Sequence, residues 1–69
     1  MSDQQLERFL RINDVVRATG IPKSTIREKA AEGKFPKSVR ISPRLTAWRE
    51  SEIIAWQKAR IAERDAKAA

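Results

Sequence analysis

Cysteine and histidine are both absent from this 69-residue chain. Their absence removes disulfides, and it takes away the ligands of the usual structural zinc sites. A reducing compartment suits such a chain, and the cytoplasm is its expected location. Glycine is scarce, with two residues, and both fall where a helix is expected to stop. No apolar run approaches the roughly 18 residues of a membrane span, and the opening MSDQQLERF is too polar for a secretion signal. Enzymatic chemistry has little to draw on. There is no glycine-rich phosphate loop, and Asp3, Asp14 and Asp65 are scattered rather than paired. The expectation is a non-enzyme with neither metal nor cofactor.

What the chain does have is positive charge, +6 from 15 basic and 9 acidic groups. Residues 1–19 are neutral, with three groups of each sign. Residues 20–44 carry seven basic groups against Glu28 and Glu32, a net of +5, and residues 45–69 add +1. A basic zone this local suits a polyanion, above all nucleic acid; the alternative reading is solubility, since small domains are often charged all over. A chain of this length makes one domain and buries only about 60% of its unfolded surface. Residues 1–7 are expected to be a flexible tail, residues 8–62 the domain and residues 63–69 a second tail that can extend the last helix.

RFLRI, residues 8–12, is β-prone and offers Phe9, Leu10 and Ile12 for burial. NDVVRATG then predicts a short helix capped by Asn13, with Val15, Val16 and Thr19 inward and Gly20 ending it. After the tight TGIP turn, Pro22 suits the start of a second helix. In that helix Ile26 and Ala30 face inward until Gly33 stops it, and Phe35 acts as a plug. Two short helices about a sharp turn have helix-turn-helix spacing, in which the second helix docks in a DNA major groove. KSVRISPRLTAWRE alternates about the SPR turn and predicts a two-stranded hairpin, the usual wing beside such a pair. ESEIIAWQKARIAER predicts a final helix that closes the core through Ile53, Trp56 and Ile61. The fold class expected is α+β: a small winged helix-turn-helix of three helices, a short N-terminal strand and a hairpin wing.

Taken together, RFLRINDVV, TGIPKSTIRE, GKFPKSVRIS-PR and WRESEIIAW resemble the AlpA family of prophage regulatory proteins. That family is related to the excisionase-like and MerR-like winged-helix domains. The resemblance runs from about Arg8 to Arg60, with GKFP and WRESE its most specific pieces. It implies binding to double-stranded DNA at an attachment site or promoter of a prophage or integrative element. The implied role is excisionase (recombination directionality factor), transcriptional regulator of an integrase gene, or both. A tyrosine-type integrase and cooperative self-association on DNA are the further partners it implies. The chain departs from the family pattern at Pro22, where Ser or Thr usually caps. It departs also at Lys29 and Gln57, where relatives carry larger apolar side chains, and at Ser42, where the wing turn often has Gly.

Lys23, Ser24 and Arg27 fall at i, i+1 and i+4 on the second helix, opposite Ile26 and Ala30. Arg27 is the first candidate to read a base edge, since a guanidinium grips guanine O6 and N7 together; its alternative is a local ion pair. Thr25 either meets a phosphate through its hydroxyl or packs through its methyl. Glu28 opposes a polyanion and is expected to pair with a basic neighbour. Lys34, Lys37 and Arg40 suit phosphate contact, which sets register without reading sequence. Arg44 at the wing tip suits the minor groove, Arg49 the DNA backbone, and Arg11 flanks the same surface. Trp48 and Trp56 are expected in the core rather than stacked on bases. The rival to a sequence-specific DNA-binding protein is a protein-interaction module that docks on an integrase or other partner, with only non-specific nucleic-acid binding, RNA included.

Overall fold

The computed structural model describes residues 6–68; most of the expected N-terminal tail, residues 1–5, lies outside that range. Six elements follow one another: β1 (Phe9–Leu10), α1 (Ile12–Thr19), α2 (Lys23–Ala31), β2 (Val39–Ser42), β3 (Leu45–Arg49) and α3 (Glu50–Ala68). The strands form one antiparallel sheet in the order β1-β3-β2. This is the expected α+β arrangement, two short helices and a hairpin closed by a third helix. No helix among the described residues is long and apolar enough to cross a membrane.

The core is Val15, Ile26, Phe35, Trp48 and Ile53, each no more than 4% exposed, with Leu10, Ile12, Val16, Ile21, Ala30 and Trp56 packed around it. Each helix thus contributes one fully buried aliphatic side chain, worth about 1.5–3 kcal/mol apiece. Trp48 fixes the centre of the sheet. It pairs with Leu10 across β1 and β3, and its indole N–H donates to the Pro36 carbonyl at 2.9 Å. Gln57 has a definite task. Its Nε2 donates to the Ala18 carbonyl at 3.0 Å, satisfying one of the acceptors that the end of α1 leaves open.

Three expectations are corrected. Asn13 does not cap α1, because the helix already includes Ile12. Arg11 holds the cap position, and its N–H donates to Asp14 Oδ2 at 3.4 Å. Starting one residue earlier lets Ile12 pack on the core and lets Asp14 reach back as a third-position acid. Phe9 is 46% exposed rather than buried, since successive strand residues point to opposite faces and Leu10 takes the inner one. Ile61 is 50% exposed, because α3 continues past the point where the small body can cover it. The chain from residue 61 to 67 is exposed throughout and helical.

Candidate nucleic-acid interface

Local chemistry fixes where α2 begins and ends. Gly20 ends α1 in the left-handed region at φ 75, and its N–H donates to the Val16 carbonyl at 2.7 Å. The Thr19 hydroxyl donates to the Val15 carbonyl at 2.8 Å and accepts from the Ile21 N–H at 3.2 Å, which ties the turn to α1. Pro22 takes the cap position with φ −61 and ψ 153, and its carbonyl accepts from Ile26 N–H at 3.0 Å. A serine or threonine cap is therefore replaced by a residue whose φ is preset. At the far end Gly33 adopts φ 79. Gly33 N–H reaches the Ala30 carbonyl at 3.2 Å and Lys34 N–H the Lys29 carbonyl at 2.8 Å, the paired bonds of a Schellman stop.

Ile26 is fully buried, Lys23, Ser24 and Arg27 are exposed, and Thr25 is half-buried. The first turn of α2 contains no acid, so the partial positive charge of the helix start is not offset locally.

Between α2 and the hairpin lies a cleft of about 450 Å³. Arg11, Arg27 and Arg44 line it together with Ser38 and Thr46, over a floor that includes Ile12, Ala30 and Trp48. No carboxylate among the described residues contributes to its wall. Among the described residues, none of the three arginines forms an ion pair. Arg40 pairs with Thr46 across the hairpin, and cross-strand partners share a face, so Arg40 stands on the cleft side of the wing. Three guanidiniums around one small volume repel each other, and a bound anion relieves that repulsion.

The pairing of β2 with β3 slips between Arg40 and Ser42, leaving Ile41 as an extra residue. No residue other than glycine has positive φ among those described. The two-residue tip, Pro43 and Arg44, therefore closes without a left-handed residue, and the bulge supplies the twist. Ser42 therefore needs no left-handed backbone.

The other expected cations are distributed differently. Lys34 and Lys37 line open depressions on the α3 side of the Pro36–Ser38 segment, and Lys34 Nζ lies 3.5 Å from Glu32. Arg49, though exposed, is engaged in ion pairs within the chain. It reaches Glu7 at 3.0 Å and Glu52 at 3.4 Å. Glu7 also accepts from the Ser51 N–H and hydroxyl, both at 3.2 Å. The Ser51 N–H, followed by the Arg49 guanidinium, holds the Glu7 carboxyl below its ordinary range, and Glu7 in turn raises the basicity of Arg49. Glu28 is exposed and forms no ion pair among the described residues, so the pairing expected for it is not made; the local ion pair considered for Arg27 is not made either. Sequence reasoning gave Arg11 a minor place and missed Ser38 and Thr46 as lining groups. The alternation Ser38, Arg40 against Thr46, Trp48 carried the signal, since it puts all four on one face of the hairpin.

Residues 8–61 match the family described as Prophage CP4-57 regulatory protein (AlpA). The chain belongs to the AlpA family. Uncharacterized protein ORF88 of Enterobacteria phage P4 is 41% identical over 64 residues, covering 93% of this chain and 73% of that protein. No solved structure matches. The AlpA-family span reaches from just before β1 well into α3 and includes Arg11, Arg27, Ser38, Thr46 and Arg44 of the cleft.

Proposed function

We propose that this AlpA-family protein is a sequence-specific double-stranded DNA-binding regulator of a prophage or integrative element. It acts at an attachment site as an excisionase, at an integrase promoter as a transcriptional regulator, or at both. The observation that carries the reading is the cleft between α2 and the wing, lined by Arg11, Arg27 and Arg44 and by no carboxylate among the described residues. In this reading Lys23, Ser24 and Arg27 enter the major groove. Arg44 follows the minor groove, and Arg40, Lys34 and Lys37 meet phosphates. Thr25, half-buried, mainly packs. Arg49 has a structural part, because its guanidinium is already held by two carboxylates.

A single module covers roughly 600–1,000 Å² of its own surface on DNA. Selectivity on a genome then requires several sites, loaded by neighbouring copies or beside a partner recombinase. The test is selection of bound fragments from host DNA, backed by titrations of duplex, single strand and structured RNA at two salt concentrations. Enrichment of attachment-site or promoter duplex is the expected result. Equal binding to all three nucleic acids, with no enriched fragment, favours a protein-docking module instead.

A further inference from the structure

On the far side of the Pro36–Ser38 segment from the arginine cleft, two depressions of about 730 and 510 Å³ share Pro36, Glu52 and Ala55. They form one trough along α3. Its floor is apolar: Phe35 and Trp56 meet edge to face at 4.9 Å, and Val39 and Ala55 continue the surface toward the wing. Its rim is mixed. Lys29, Lys34, Lys37 and Arg60 stand against Glu52 and Glu63. Both carboxylates already have partners, Glu52 with Arg49 at 3.4 Å and Glu63 with Arg60 at 2.8 Å. Lys29 and Lys37 have none among the described residues.

We infer that this trough is a docking surface for an acidic, amphipathic peptide segment of a partner protein. Charge selects the partner's sign, since the cations left over after internal pairing outnumber the free carboxylates. The apolar floor selects its other face, an arrangement that suits a helix laid into a groove. Nucleic acid fits less well. The Trp56 indole N–H is committed to the Lys34 carbonyl at 3.0 Å, and the Arg60 guanidinium covers the ring at 5.3 Å. Its face is therefore not free to stack on a base. Glu52 and Glu63 also interrupt any track of cations that a phosphate backbone would follow, in contrast to the acid-free arginine cleft. The apolar floor lies across the Pro36–Ser38 segment from the cleft, so a duplex seated on the cleft leaves the floor open, and only the rim lysines Lys34 and Lys37 are common to both contacts.

The test uses the whole protein and two synthetic helical peptides. One carries Glu and Asp beside a Leu and Phe stripe; the other keeps the acids and replaces the stripe with Ser. The stripe peptide is expected to move the Trp56 indole resonance and to bind about tenfold more tightly than the Ser control. Ala55→Glu, on an exposed helical site, is expected to weaken the stripe peptide about tenfold while duplex DNA affinity changes far less. Equal binding of the two peptides overturns the proposal, as does indifference to Ala55→Glu. So does a set of shifts centred on Arg11, Arg27 and Arg44, or displacement of the peptide by duplex DNA with Trp56 itself perturbed. The peptide arms do not depend on DNA recognition, so failure of one reading leaves the other standing.

Discussion

The Trp48 indole N–H donates to the Pro36 carbonyl at 2.9 Å, joining the central strand to the segment that leaves α2. This bond ties β3 to the segment between α2 and the wing, beside the cleft lined by Arg27, Arg44 and Trp48 itself. Trp48→Phe keeps an aromatic ring but leaves a carbonyl without its donor and removes volume at a site 4% exposed. The expected loss is about 2–4 kcal/mol in denaturant unfolding. DNA affinity is expected to fall even where the variant remains folded, and retention of full affinity would disconnect the bond from cleft geometry.

Arg27→Ala is expected to cost about 1–3 kcal/mol on the preferred sequence and to relax base preference at one position. Binding to selected and random duplexes, compared at one salt concentration, checks it. Equal weakening on both would turn Arg27 from a base reader into a phosphate contact, a role its place beside Arg11 and Arg44 also permits.

Lys37→Ala is expected to weaken all duplexes alike and to reduce the salt slope of binding by about one unit. An unchanged slope would remove Lys37 from the DNA surface and leave it to the trough that it lines.

Much of the fold was legible because single residues decided it. Gly20 and Gly33 marked the ends of α1 and α2, Pro22 marked the start of α2, and alternation about Pro43 gave the hairpin. The fate of Phe9 and Ile61 was not legible. Phe9 lies outside because Leu10 takes the inner face of β1, and Ile61 because α3 runs past the part of the body that could cover it. The cations were harder still. Sequence shows that residues 20–44 are basic, but not that Lys37 borders the α3 side alone while Ser38 next to it borders both that side and the cleft. Arg49 shows another limit. Its partner Glu7 is 42 residues away, and no local pattern announces such a contact.

Glu7 holds the start of α3 through the Ser51 N–H and hydroxyl and through Arg49. Its carboxyl is held below the ordinary glutamate range, so the unfolded chain takes up a proton at higher pH than the folded one. The stabilisation is complete above about pH 4.3, the usual glutamate value, and is lost as pH falls through the lower folded value. Glu7→Gln is expected to lower Tm at neutral pH and to flatten the acid limb of the Tm–pH curve. Superimposable curves would mean that this contact adds nothing to stability.

Gly33 sits at φ 79 with open space where a side chain would project. Gly33→Ala therefore meets backbone strain without a clash, and the expected cost is about 1–2 kcal/mol. Gly33→Asn is expected to lose less, since asparagine tolerates this conformation better. Equal losses for the two variants in thermal melts would point to something other than backbone strain.

The extra residue at Ile41 divides the hairpin into a base and a tip. Val39 with Ala47 and Arg40 with Thr46 hold the base in register, while Ser42 with Leu45 belongs to a separate alignment beyond the slip. An insertion or deletion on the tip side re-aims Arg44 without moving the base or α2. In the proposed reading the wing contact can thus change while the α2 contact stays the same.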